Sequence, residues 1–405
     1  MINNTNANYS EIEINDIDDS NSDIELMERN DGNEYQSLLG TPKQEKKTRL
    51  YWADCARIYS MFAIVFLHCS NFFLEKTYIS SDNPNWKIVC IYNSLTRFSV
   101  PLFVLLSGTF FLDPSKPFSF KKLLKHNILR LLTAFFFWAL VCSIYHVSTR
   151  ENESIFSTFF LKNVLMGEEY LWFILMIIGC YIISPFLRYF SDDVLMARYF
   201  ICLWFIWASF LPTLEGILGL FDINCNGFNV WLNRWHFYFS KGFVGYFVAG
   251  YHLVKHVNID KFAYRCILYI LCIIDVIIYI KLTIYHIKTK KFYSESFRGN
   301  FSMFVVFYAF VTFIFFKYEI GRIKFSYKMT KIISKLSSLT FGIYLTHLLI
   351  RNMLQRYLNI NQEKFINISY SPIIGCPLLF AIVSILSLLT SYIFSRIPIL
   401  KNYVV

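Results

Sequence analysis

The chain has 405 residues, of which 55% are apolar, 19% aromatic and 17% charged, with 43 Phe, 27 Tyr and a formal net charge of +11. Soluble chains carry about a quarter charged residues, whereas here the apolar residues gather in runs of roughly 20, each able to cross about 30 Å of hydrocarbon. That excludes a soluble enzyme, and the net charge is not a nucleic-acid signal once it is resolved by region.

Residues 1–48 hold 11 acidic and 4 basic residues, are rich in Asn, Ser and Asp, and show no apolar period. Such a segment cannot bury enough apolar surface to offset its ordering entropy, so it reads as a disordered acidic tail. Glu34-Tyr-Gln-Ser-Leu-Leu39 fits an acidic dileucine and a tyrosine-based sorting pattern, which leaves the plasma membrane, lysosome and Golgi open; a chance match in a polar tail is the competing reading. The remaining 357 residues hold 35 basic and 17 acidic residues, and residues 50–400 form one membrane domain.

The apolar runs place ten transmembrane helices at about 53–74, 92–112, 127–147, 170–190, 197–217, 237–254, 263–284, 298–317, 332–356 and 372–395, so the fold class is all-α and polytopic. The first run, starting near Trp52, reads as a signal anchor. Lys and Arg concentrate in cytosolic loops. Lys43, Lys46, Lys47 and Arg49, then Lys116, Lys121, Lys122 and Lys125, then Arg322, Lys324, Lys328 and Lys331 all fall on one side, which puts both termini in the cytosol. Lys288, Lys290 and Lys291 fall on the other side. Sequons at Asn152, Asn300 and Asn367 land on the lumenal side, and those at Asn3 and Asn8 in the tail. The ten cysteines contain no metal-like CxxC pair and no metal is expected; Cys90 and Cys225 either pair on the lumenal side or remain free thiols.

The first helix contains Arg57 and His68, 11 residues apart, which puts them within about 20° on one face and about 16 Å apart along the axis. Asp54, three residues before Arg57, can hold its guanidinium. A cation at the cytosolic rim suits a phosphorylated carrier, and a neutral imidazole one carrier-length deeper suits a general base. A snorkelling Arg and a structural His remain the competing reading. In the second helix, NSLTRFSVPLFVLLSGTFFL, Arg97 sits at the lumenal end, and Pro101 frees carbonyls that protein or water must satisfy. Lys121, Lys122, Lys125 and Arg130 follow as a basic cluster, read either as a phosphate rim or as a plain topology signal. The fourth helix opens with Glu168 and Glu169 at the lumenal mouth, where they suit an acceptor; Tyr170 and Trp172 are acceptor contacts or interfacial aromatics. Asp222, Trp231, Arg234, Trp235 and His236 combine aromatics with charge between 218 and 240, which suits stacking on sugars or an aromatic belt. The ninth helix runs parallel to the first and holds His347 at the depth of His68, with Tyr344 and Arg351 one turn away on either side. Either the two histidines share a cavity or His347 makes an interhelical hydrogen bond.

The chain resembles the acyltransferase 3 family of integral membrane acyltransferases over about residues 50–400, nearest to the bacterial branch that O-acetylates surface polysaccharide, such as enterobacterial common antigen. The resemblance rests on Arg57-x10-His68 in YWADCARIYSMFAIVFLH, on NSLTRFSVPLFVLLSGTFF, on YLWFILMIIGCYIISP and on FGIYLTH, with FRGNF at 297–301 in support. It implies acetyl-CoA as acyl donor, bound from the cytosol, a carbohydrate or lipid-linked hydroxyl acceptor, His68 as the catalytic residue and Arg57 as a coenzyme contact. The Arg-x-x-Arg pair of many members is replaced here by KKLLKHNILR, where only Arg130 and nearby lysines can stand in. His347 is expected to act with His68, and Arg97, Glu168, Glu169 and Trp172 to shape the acceptor site. A transporter or channel with intramembrane His and Arg, and a lysosomal amino-sugar N-acetyltransferase, are the alternatives.

Overall fold

The long apolar runs carry few helix breakers, and inside a bilayer only a helix or a closed barrel satisfies every backbone polar group within itself. The computed structural model describes residues 49–77, 84–149, 157–223, 226–238, 241–290, 296–358, 371–398 and 400, and is helical with no strand among them. The acidic tail with its Glu34–Leu39 motif, the sequons at Asn3, Asn8, Asn152 and Asn367, and Cys225 lie outside the described residues. The helices are α1 (Tyr51–Thr77), α2 (Pro84–Leu95), α3 (Ser99–Phe111), α4 (Phe120–Lys122), α5 (Leu129–Ser148), α6 (Thr158–Met166), α7 (Trp172–Phe190), α8 (Val194–Trp204), α9 (Leu211–Leu220), α10 (Asn226–Arg234), α11 (Val244–Lys255), α12 (Phe262–Lys290), α13 (Met303–Tyr318), α14 (Tyr327–Tyr357) and α15 (Pro372–Phe394).

Each of the ten expected spans has a helical counterpart, and among the described residues eight helices are long and apolar enough to cross a membrane. They make the chain a multi-pass membrane protein. The other two differ for physical reasons. α1 carries Asp54, Arg57 and His68 among its apolar residues. α11 has 12 residues, too few for the roughly 20 that a crossing needs, so the sixth expected span is a short buried helix. It packs backbone against backbone on α3. A Cβ on Gly108 would strike the Phe247 carbonyl, a Cβ on Gly250 would strike the Leu105 carbonyl, and Thr109 Oγ1 donates to Gly250 O at 3.0 Å. Small residues at such a seam let two helices approach where lipid offers no hydrophobic drive to pair them.

α2 and α3 form one span, Pro84–Phe111, broken by a turn at Thr96–Phe98. The carbonyls around the break are satisfied by neighbouring helices. Tyr279 Oη donates to Ser94 O, Tyr308 Oη to Leu95 O at 3.1 Å, and Ser60 Oγ to Ser99 O at 2.5 Å. These side chains compensate the turn at Thr96–Phe98; Pro101 itself sits in the first turn of α3, where a missing N–H breaks no helical bond. At the other end of α3, Arg188 Nη1 and Ser191 Oγ donate to Phe111 O and Leu112 O at 3.0 and 2.9 Å.

α1 and α14 run parallel in fixed register. Arg57 Nη1 donates to Ser337 Oγ at 3.1 Å near one end, and Arg351 Nη1 donates to His68 O at 3.0 Å near the other. Among the described residues, Lys116 and the turn before α14 with its basic residues lie at the Arg57 end. Lys116 and Arg57 both lie 5.8 Å from the Phe110 ring, and the turn around Gly321 faces Trp52. Buried Arg265, at the start of α12, joins Glu319 at 2.7 Å on the same side, so α12 carries Lys288 and Lys290 to the opposite end. There Lys290 pairs with Asp222, which offsets part of the positive charge on that side.

Candidate active site

The parallel register of α1 and α14 decides the site. Asp54 Oδ1 accepts from Arg57 Nη1 at 3.1 Å and from Ser337 Oγ at 2.6 Å, so the expected Asp54 brace is present and also ties α1 to α14. About three helical turns further on, the same face of α1 presents His68, and α14 presents His347 with its ring centroid 5.2 Å from that of His68. His347 Nδ1 lies 2.6 Å from Tyr344 O. A carbonyl can only accept, so Nδ1 carries the hydrogen and Nε2 is left as an acceptor. That Nε2 is buried and has no hydrogen-bond partner among the described residues. The Arg351 bond to His68 O holds the α1 backbone at the histidine itself.

Buried Asn93 fixes α1 from the other side. Its Nδ2 donates to Asn71 Oδ1 at 2.7 Å, Ser70 Oγ at 3.2 Å and Leu67 O at 3.3 Å, all beside His68. Its Oδ1 accepts from Arg97 Nε at 2.9 Å and from Arg298 Nη1 at 3.1 Å. One amide thus couples α1, the α2–α3 break and the loop before α13.

The third wall comes from the start of α7. Gly167 has φ +72, and a Cβ there would meet the Phe135 ring, so glycine alone lets the chain leave α6 and deliver Glu168 at this point. Tyr170 and Tyr344 lock this wall to α14: Tyr170 Oη donates to Leu345 O at 2.8 Å, and Tyr344 Oη donates to Tyr170 O.

These walls enclose a cavity of about 390 Å³. It takes in His68, Arg97, Glu168, Glu169 and Trp172, so five of the residues selected from sequence line one space, and His347 stands directly behind His68. Arg351, Tyr344, Asn71, Asn300, Asn352 and His146 complete its polar lining. Asn300 was expected as an outward sequon. Within the structure it lines the cavity, half-buried. On the Arg57 side the cavity is bordered by rings: Phe173 packs on Phe103 and Tyr344 at centroid distances of 5.8 and 5.6 Å, and Phe341 stacks on Tyr344.

Lys121, Lys122, Lys125 and Arg130 are not part of this cavity; they stand exposed on the helical turns leading into α5 and at its start. The lysine that the fold brings beside the Phe110 ring together with Arg57 is Lys116. Its neighbour Asp113 would be raised by burial, but hydrogen bonds from Ser115 and Lys116 override that and hold its carboxyl below the usual carboxylate range. Lys116, His146 and Asn93 escaped the sequence reading. The first looked like one more topology charge. For Asn93 the available signal was an amide inside an apolar helix.

A conserved-domain profile described as the acyltransferase domain, acyltransferase 3, matches residues 50–396. The chain belongs to the acyltransferase 3 family. No curated protein and no solved structure matches it. The family makes the chain a membrane acyltransferase, and the transporter and N-acetyltransferase readings gain no support.

Proposed function

We propose that this membrane acyltransferase moves an acetyl group from cytosolic acetyl-CoA to a hydroxyl of a carbohydrate or lipid-linked acceptor on the far side of the membrane. In kind it stands nearest to the O-acetyltransferases of bacterial surface polysaccharide. The observation that carries the reading is the pairing of α1 with α14, which sets Arg57 at the basic end of the fold and places the His68 and His347 rings side by side at the cavity.

Arg57 and Lys116 hold coenzyme phosphates, and Lys121, Lys122, Lys125 and Arg130 raise the local concentration of the anionic donor from further out. The pantetheine arm threads past Phe103, Phe173 and Phe341 toward His68. An acceptor hydroxyl enters the cavity from the opposite side, against Arg97, Glu168, Glu169 and Trp172. His68 takes the hydroxyl proton as the oxygen–carbon bond forms at the thioester carbonyl. The tetrahedral intermediate then collapses with cleavage of the carbon–sulfur bond, and His68 returns the proton to the departing sulfur, giving an ester and coenzyme A. His347, whose ring packs beside that of His68, holds the His68 ring in place from behind. Two substrates meeting in one buried site from opposite faces removes any need to carry acetyl-CoA across the bilayer.

Coenzyme A binding to the purified protein tests the donor assignment. Saturable binding, weakened by Arg57→Ala, is expected; absence of binding would refute the donor assignment.

A further inference from the structure

The cavity also holds an imidazole–carboxylate contact, apart from the His68–His347 pair. His146 Nε2, on the last turn of α5, contacts Glu168 Oε1, just ahead of α7. Both line the same cavity as His68. Their side chains are 29% and 27% exposed, so they face the cavity without being open surface.

The surrounding fold fixes this pair on both sides. Gly167 places Glu168, and the Glu168 carbonyl accepts from Leu171 N at 2.9 Å. One turn before His146 on α5, Cys142 Sγ lies 3.7 Å from Tyr170 Oη, which itself donates to Leu345 O on α14. The pair is therefore held at a set position relative to the His68–His347 helix pair. A carboxylate only accepts, so the ring nitrogen facing it carries the hydrogen. That leaves His146 Nδ1 and the second Glu168 oxygen as acceptors, and neither has another partner among the described residues. Two acceptors on residues that line one cavity suit O–H donors on one bound molecule.

We propose that His146, oriented by Glu168, is a specificity-determining residue that reads a hydroxyl of the acceptor other than the one acylated. This deepens the acyl-transfer reading and rests on it. The acceptor then carries at least two hydroxyls, and a simple alcohol is a poor substitute even when its single hydroxyl reaches His68.

The test uses the full-length protein in detergent or nanodiscs with acetyl-CoA. Its acceptors are methyl β-D-glucopyranoside, the four monodeoxy analogues of that glycoside, and 1-hexanol. The wild type is expected to lose about 10- to 100-fold in kcat/KM on at least one deoxy analogue, the range for leaving a buried hydrogen-bonding group of the site unpaired, and to discriminate at least as strongly against 1-hexanol. In His146→Ala, and separately in Glu168→Gln, that discrimination should shrink to about threefold or less. The KM for acetyl-CoA should stay unchanged, which a merely structural role for the pair would not predict. Wild-type indifference to every missing hydroxyl, or discrimination that survives in both variants, would overturn the proposal. A wild type that transfers acetyl to neither glycosides nor alcohol would instead overturn the acyl-transfer reading beneath it.

Discussion

Arg351→Met isolates how far the helix pair α1–α14 serves the chemistry. The guanidinium donates to His68 O at 3.0 Å through Nη1, while Nη2 and Nε donate to Asn352 Oδ1 at 2.9 and 3.3 Å. Methionine has similar reach and apolar bulk but no donor. One hydrogen bond from a charged group contributes about 1.5–3 kcal/mol. If it is used to hold His68 in its reactive position, its loss lowers kcat by about 10- to 150-fold, since each 1.36 kcal/mol is a factor of ten in rate. Arg351→Lys keeps the charge but lacks the planar fork that reaches two partners, so it should fall between the two. The assay is initial-rate acetyl transfer by purified protein over a range of both substrates, with a thermal melt of each variant. The expected pattern is a lower kcat at nearly unchanged KM for acetyl-CoA and a melting temperature close to wild type. Arg351→Met with kcat within about twofold of wild type would refute the claim that this bond positions His68.

Three further outcomes follow from the geometry. Asn93→Leu removes the acceptor shared by Arg97 and Arg298, and with two buried charged donors losing it should cost about 2–6 kcal/mol, read as a large drop in melting temperature. Gly250→Ala drives a methyl into the Leu105 carbonyl and should destabilise by about 1–3 kcal/mol, whereas Gly179→Ala, which meets nothing within 4 Å, should be neutral or slightly stabilising in the same melt. Lys116→Ala should raise the KM for acetyl-CoA by roughly 3- to 10-fold, and Lys125→Ala, exposed on the turn before α5, by less than about twofold, in titrations at constant ionic strength.

What the sequence made legible was what depends on one helix at a time. The spacing of Arg57 and His68, the Asp54 brace and the depth of His347 follow from helical period and bilayer thickness, and the structure places each accordingly, whereas the break falls at Thr96–Phe98, ahead of Pro101. The histidines meet because two parallel helices share a rise, which the matched depths already implied. What stayed hidden depends on register between helices far apart in the chain. His146 and Glu168 are separated by α6 and the Gly167 turn, and nothing in either helix announces that they touch. That Asn300 lines the cavity was likewise not legible from its sequon pattern. α11 read as a full crossing because its flanks are aromatic and apolar, yet its helix is 12 residues long.

The central claim is that His68 moves the proton in acyl transfer. The most direct measurement is single-turnover acetyl transfer from labelled acetyl-CoA by purified His68→Ala beside the wild type, with coenzyme A affinity measured on both. The account predicts a rate lower by about 10²- to 10⁴-fold, the usual contribution of a general base, at unchanged coenzyme affinity. Transfer at the wild-type rate by His68→Ala would contradict it.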